Sequence, residues 1–283
     1  MLKTITISFR ELGKLKSHIL ASGIKRTPTK SEYELLRIDD GEAKLIVYKS
    51  GKVVYEDNEA TREVIDKIIV IEESEKYTYI LGSDETGKGE WYGPLVVVCT
   101  ALTPQQIKKF RKMGVRDSKT INKKELFQLE NNVLREKFPK QISYFLPETY
   151  NKLYEEFRKE KKTLNDLLAW GHSAAIKTVL DLIKYEKIKI VIDKFDVEKT
   201  YRRLYTIDDA KVKIIQKSRG ESETPVALAS ILAKVRFEKL VDFLDKKYNL
   251  DLRRSKPEDV PTKVLPQVAK LHFKNVKKAI EKT

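Results

Sequence analysis

The sequence predicts an α/β protein with a mixed central sheet, preceded by a small α+β unit. Three observations carry that prediction. From about residue 76 onward, short apolar runs alternate with stretches of helical spacing. Just ahead stands a charged connector, Glu72-Glu73-Ser74-Glu75-Lys76. Before it, strand-like and helix-like stretches follow one another on a smaller scale. We therefore expect two domains, 1–75 and 76–283.

In the first unit, residues 2–9 alternate enough for a strand. Residues 10–22 carry Leu12, Leu15, Ile19 and Leu20 at helical spacing and stop at Gly23. Residues 33–38 and 43–48 read as strands. Lys49-Ser50-Gly51-Lys52 then turns the chain into Val53-Val54-Tyr55, which makes a hairpin. Residues 60–71 read as a second helix. In the second unit, strands are expected at 77–82, 95–102, 141–146 and 188–192. Helices are expected at 104–112, 123–138, 164–185 and 225–247. The stretch 253–266 is loop-rich, and a short basic helix closes the chain. No internal repeat or low-complexity tract is visible.

Charge narrows the partner. The chain of 283 residues carries 57 Lys and Arg against 42 Asp and Glu, a formal net charge of +15. Such an excess suits a polyanion, most simply nucleic acid. The plain alternative is a basic soluble protein without one. Lysine dominates the basic residues, as expected for contacts to a phosphate backbone rather than to base edges. Cys99 is the single cysteine, which excludes an internal disulfide and a cysteine-based zinc site. It lies in an apolar stretch and reads as core. No segment approaches the roughly 18 apolar residues a membrane span needs, and the N-terminus lacks the apolar block of a signal peptide. The expectation is a cytoplasmic protein with no membrane partner.

The chemistry concentrates in Asp84-Glu85-Thr86-Gly87-Lys88-Gly89 and the following Tyr92-Gly93-Pro94. Adjacent carboxylates repel each other, which is poor for packing and good for holding a divalent cation. The glycines permit close approach of the backbone, and Lys88 adds a positive charge. The same residues also occur in ordinary turns. Further acids follow. Asp193 ends the apolar run Lys189-Ile190-Val191-Ile192, Glu221-Ser222-Glu223 precedes the Pro225 helix, and Asp117 sits in Arg116-Asp117-Ser118-Lys119. If they converge, the site is built of oxygen donors and suits Mg²⁺ or Mn²⁺, not zinc. Two such ions roughly 4 Å apart assist phosphodiester hydrolysis.

Each acid also has an ordinary explanation. Asp193 can cap a loop, Asp117 can be a turn residue, and Glu221 or Glu223 can be solvated charge at a helix start. Asp166 reads as a capping acid. His172, beside Trp170, reads as packing, and His272 stands too far along the chain to join it. Thr224 reads as a cap, with Pro225 at the first helical position. Ala227, Ala229, Ser230 and Ala233 keep that helix thin.

These motifs resemble the prokaryotic type 2 ribonucleases H. Asp84 to Gly89 with Tyr92-Gly93-Pro94 is similar to that family's opening motif. Asp117-Ser118-Lys119, Asp193 and Ala229-Ser230-Ile231-Leu232-Ala233-Lys234-Val235 resemble its later motifs, in order. Three features resemble ribonuclease HIII rather than HII. They are the extra N-terminal unit with Val47-Tyr48-Lys49-Ser50-Gly51-Lys52, the Gly-Lys-Gly turn, and Val268-Ala269-Lys270-Leu271-His272-Phe273-Lys274.

The resemblance implies an RNase H-like catalytic domain preceded by a TATA-box-binding-protein-like domain. It implies endonucleolytic cleavage of RNA in RNA–DNA hybrids with Mg²⁺ or Mn²⁺, leaving 5′-phosphate and 3′-hydroxyl ends. It implies a carboxylate tetrad of Asp84, Glu85, Asp193 and Glu221, with Glu223 as the alternative fourth member. Substrate contacts are expected from Gly87, Lys88, Gly89, Ser118 and Lys119, and from Tyr48, Lys49 and Lys52 in the N-terminal unit. The protein is expected to act as a monomer with no obligate protein partner. The competing readings are a ribonuclease HII-like enzyme nicking at single ribonucleotides, a non-catalytic nucleic-acid-binding protein, and a related-fold nuclease acting on DNA junctions.

Overall fold

The structure is a computed structural model that describes residues 2–6, 19, 25–39, 41, 44–58, 60–61, 76–115, 121–193, 211–217 and 223–281. The chain divides into two compact units, Met1–Lys76 and Tyr77–Thr283.

The first unit holds strands β1 (Leu2–Thr6), β2 (Glu34–Asp39), β3 (Lys44–Tyr48) and β4 (Lys52–Glu56). They form an antiparallel sheet in the order β1-β4-β3-β2. Every second residue is buried: Leu36 and Ile38 on β2, Leu45 and Val47 on β3, Val53 on β4. That period of two gives the sheet one apolar face. The β3–β4 turn closes as the spacing predicts, with the Gly51 amide donating to the Tyr48 carbonyl at 2.9 Å. The helices expected at 10–22 and 60–71 lie outside the described residues, apart from Ile19 and residues 60–61.

The second unit is built on a five-stranded sheet, in the order β7-β6-β5-β8-β9. Its strands are β5 (Tyr79–Thr86), β6 (Leu95–Leu102), β7 (Lys140–Phe145), β8 (Ile188–Asp193) and β9 (Val212–Lys217). β5, β6 and β7 pair antiparallel, whereas β5, β8 and β9 run parallel. The sheet is therefore mixed. Helices α1 (Pro104–Lys112), α2 (Lys123–Val133) and the long α5 (Thr224–Tyr248) contribute to the core on one face. Helices α3 (Pro147–Lys159) and α4 (Leu164–Asp181) contribute to the core on the other. The C-terminal helices α6 (Leu265–Val268) and α7 (Lys274–Glu281) join the α5 side. β6 shows why two layers are needed. Val96, Val98 and Leu102 belong to the α5 core, while Val97, Cys99 and Ala101 belong to the α4 core. Burial on both faces requires an unbroken apolar run. Cys99 is core, and burial pushes its thiol well above its usual range.

Some expectations are corrected. β5 does not stop at residue 82 but runs on through Asp84, Glu85 and Thr86. The 123–138 helix ends at Val133, and Phe138 turns back to pack edge-on against Phe110 at 5.2 Å. β9 and α3 went unseen in the sequence. β9 is a short strand with lysines at both ends of its Ile-Ile centre. α3 does carry a helical signal, since Tyr150, Leu153, Tyr154 and Phe157 recur at helical spacing. Asp166 caps α4 as expected, accepting from the Thr163 amide at 2.8 Å. Thr224 does not cap α5. Glu223 takes the N-cap position, and the Thr224 hydroxyl accepts from Arg111 Nε at 2.7 Å. Among the described residues, no helix is long and apolar enough to cross a membrane.

Candidate functional site

Strand register builds the site. β5 and β8 run side by side and parallel, with Ser83 opposite Ile192 as their last pair. The next residue on each strand is an acid, Asp84 on β5 and Asp193 on β8. The backbone thus brings both to the carboxyl ends of neighbouring parallel strands, where open α/β sheets place their ligands. The Asp193 side chain lies outside the described set, as do Asp117, Ser118, Lys119 and Glu221. Among the described residues, no three His, Cys, Asp or Glu side chains gather into a metal-binding group.

Alternation along β5 sends its residues to two different helices. Gly82 and Asp84 face α5. Asp84 is hydrogen-bonded by Ser230, which lies on that helix. Ser83 and Glu85 face α4, where they meet His172. Ser83 Oγ lies 2.7 Å from His172 Nδ1 and also bonds the Val98 carbonyl at 2.9 Å. His172 Nε2 lies 3.0 Å from Glu85 Oε2. The other Glu85 oxygen accepts from Lys88 Nζ at 2.8 Å.

The two neighbouring acids are held in opposite states. Burial, with the charge of Glu85 added, pushes Asp84 up to about 6. Burial alone would raise Glu85 as well. The His172 hydrogen bond and charge, with Lys88, outweigh it and hold Glu85 at about 2. Glu85 is therefore a carboxylate at neutral pH and only accepts, so the proton of that pair belongs to His172 Nε2. Sequence reasoning assigned His172 to packing. It is fully buried, yet both ring nitrogens touch the site. The available signal was a polar ring within the apolar stripe of α4, since such a ring needs partners.

Asp84 and Glu85 fit a hard divalent cation. Both offer oxygen, and a carboxylate raised by burial and a neighbouring negative charge is one that a nearby cation would relieve. Glu223 is otherwise engaged. Its carboxylate pairs with Lys189 on β8 at 3.4 Å, and Lys189 stands opposite Ile80, away from the Asp84 end of the strand.

Beyond the acids comes the turn. Gly87 has φ +96°, and a Cβ there would overlap the Pro94 carbonyl oxygen and crowd the Phe237 ring. No other residue type fits that place without strain. Lys88 and Gly89 are exposed. In the first unit, Lys49 and Lys52 are exposed on the β3–β4 hairpin and Tyr48 is half-buried.

The Ribonuclease HII family model matches residues 81–276. Ribonuclease HIII of Protochlamydia amoebophila (strain UWE25) is 30% identical over 216 residues, covering 73% of this chain and 69% of that protein. Ribonuclease HIII of Bacillus mycoides (strain KBAB4) is 30% identical over 272 residues, covering 83% of this chain and 84% of that protein. Among solved structures, Bst-RNase HIII in complex with Mn²⁺ superimposes over 99% of this chain and 98% of its own, with TM-score 0.64 and 22% identity. RNase H3 of Aquifex aeolicus covers 96% and 100%, with TM-score 0.56 and 22% identity. At that identity the two structures speak for the fold, which is RNase H-like.

Proposed function

The chain belongs to the ribonuclease HII family, in its ribonuclease HIII branch, and from that premise we propose that it cuts the RNA strand of RNA–DNA hybrids endonucleolytically. The products are 5′-phosphate and 3′-hydroxyl ends, and the reaction depends on two divalent ions. The observation that carries this reading is the register that sets Asp84 and Asp193 side by side at the carboxyl ends of β5 and β8.

Asp84, Glu85, Asp193 and Glu221 would hold Mg²⁺ or Mn²⁺. When bound, such ions supply Lewis acidity for hydrolysis and offset the charge developing on the phosphate. The engagement of Glu223 by Lys189 supports Glu221 as the fourth carboxylate. His172 fixes the Glu85 carboxylate from below, and Ser83 fixes His172. The Gly87-Lys88-Gly89 turn brings backbone amides and one ammonium to the RNA strand, with Ser118 and Lys119 on a neighbouring phosphate. RNA is told from DNA through a 2′-hydroxyl contact, and the turn is the natural place for it. Residues 1–75 act as a substrate-binding domain through Tyr48, Lys49 and Lys52. The net charge of +15 supports backbone binding. The protein works as a cytoplasmic monomer, without a membrane or an obligate protein partner.

The deciding experiment compares a uniform RNA–DNA hybrid with a DNA duplex carrying one ribonucleotide, each with Mg²⁺ and with Mn²⁺. Cleavage at many points along the uniform hybrid is expected. A nick confined to the lone ribonucleotide would replace this reading with a ribonuclease HII-like one. Tight binding without any cleavage would make the protein a binding module.

His172 gives a separate check. His172→Ala removes one of the two partners of Glu85 and leaves the buried Ser83 hydroxyl with the Val98 carbonyl. Groups that orient a metal ligand typically cost 10- to 100-fold when lost, and a weakening of roughly that size is expected here. Mn²⁺ titration followed by electron paramagnetic resonance reads it without relying on activity. His172→Gln can still donate toward Glu85 and should lose less than His172→Ala.

A further inference from the structure

Lys270 has a fully buried side chain. Its ammonium donates to three backbone carbonyls of one short segment: Glu90 at 3.0 Å, Tyr92 at 2.9 Å and Gly93 at 2.8 Å. A lysine has three donors and no acceptor, so this set uses it completely. Backbone contacts reinforce the grip. The Lys270 amide donates to the Trp91 carbonyl at 2.7 Å, and the Gly93 amide donates to the Val268 carbonyl at 2.9 Å. Tyr92 and Ala269 form an isolated β-bridge.

The strap that carries Lys270 is itself fastened to α3. Asn151 donates to the Ala269 carbonyl at 2.9 Å and accepts from the Leu271 amide at 3.0 Å. His272 packs on the rings of Tyr150 and Tyr154, with centroids 5.7 and 4.7 Å away. Burying an ammonium is costly, and desolvation lowers Lys270 to about 7 against the opposing charge of Glu90. An apolar side chain would fill the same space without that cost. What the ammonium adds is a fixed grip on three carbonyls.

Those carbonyls lead to the site. Gly93 is followed by Pro94, and Gly87 lies so close to the Pro94 carbonyl oxygen that a Cβ could not fit between them. Residues 90–94 are thus the wall on which the Gly87-Lys88-Gly89 turn rests. We propose that Lys270 is a positioning residue: it clamps residues 90–93 from within the fold and, through Pro94, sets the turn that receives the RNA strand. This rests on the ribonuclease reading of that turn.

The test is Lys270→Met in the full-length protein, beside Val276→Ala as a control. Val276 is buried in the same C-terminal segment, and its amide donates to Asn275 Oδ1 at 3.1 Å. Four readouts are taken: kcat/KM on a uniform hybrid, Mn²⁺ affinity, hydrogen exchange at the Gly93 amide, and melting temperature. Small misplacements near reacting groups cost up to about a hundredfold, so Lys270→Met should lose roughly ten- to a hundredfold in kcat/KM. Mn²⁺ affinity should be unchanged, and Gly93 exchange should accelerate. Combined with Lys88→Ala, the losses should be less than additive, because both act through one turn.

The proposal is overturned if kcat/KM stays within about twofold of wild type. It is equally overturned if Gly93 stays protected, if the two losses add fully, or if Val276→Ala at matched melting temperature reproduces the loss. Should the wild-type protein leave the hybrid uncut, the ribonuclease reading falls, while Gly93 exchange still decides whether Lys270 clamps the segment.

Discussion

Asp84→Asn should abolish hybrid cleavage and, at the same time, make the metal-free protein more stable near neutral pH. The two effects have one cause. Asp84 ends a buried strand beside another acid, and its carboxyl is raised to about 6 from an ordinary value of 3.8. Between those values the folded state binds more protons than the unfolded one. Stability therefore falls as pH rises through that window, and the cost is fully present above about pH 6. Asn carries no charge and escapes it. The expected gain is on the order of 3 kcal/mol near neutrality and fades to nothing below about pH 4. Urea unfolding in EDTA across that range measures it, and a variant no more stable than wild type at neutral pH would contradict the account. Activity moves the other way. Losing a charged contact of about 3–5 kcal/mol lowers the rate by at least roughly a hundredfold. Asp193→Asn should share the loss of activity.

Gly82→Ala should be the most destabilising single-methyl change on β5. A Cβ at Gly82 would fall inside van der Waals contact of the Pro225 carbonyl carbon and the Val226 nitrogen, at the start of α5. Both are backbone atoms, so no rotamer change relieves the overlap. Either β5 and α5 move apart or the helix start unwinds. Thr100, whose hydroxyl donates to the Pro225 carbonyl at 2.9 Å, would lose its bond in both cases. We expect a loss on the order of 3–5 kcal/mol, a large share of a typical domain's stability. Gly89→Ala is the control for folding, since nothing lies within 4 Å of a Cβ there. Thermal unfolding should show the Gly82 variant melting about 10 °C lower, or failing to fold, and the Gly89 variant unchanged.

These two residues also mark how far the chain could be read without its fold. The acid pair, the glycine turn and the later acids were visible as motifs, and the family they resemble is the one to which the chain belongs. The strands at 95–102 and 188–192 announced themselves through near-continuous apolar runs, interrupted only by Thr100 and Lys189, as strands buried on both faces require. β9 did not, since a short edge strand carries little apolar signal, whereas the helical spacing of Tyr150, Leu153, Tyr154 and Phe157 in α3 was present and went unread. Gly82 looked like the end of a strand. Its role is to let a helix cross, and that is a fact about another element far along the chain.

Local patterning settled the class of chemistry: which residue types are present, how they are spaced, and what charge surrounds them. Those are properties of neighbours along the backbone, and sequence displays them directly. Which residues act together was decided only by the packed chain. Parallel pairing of β5 with β8 set Asp84 level with Asp193. The placement of α4 turned His172 from a presumed packing residue into the partner of Glu85. The C-terminal strap carried Lys270 back beneath residues 90–93. Each of these meetings joins residues 87 or more positions apart, and the buried polar groups involved find their partners only when the sheet and its helices close.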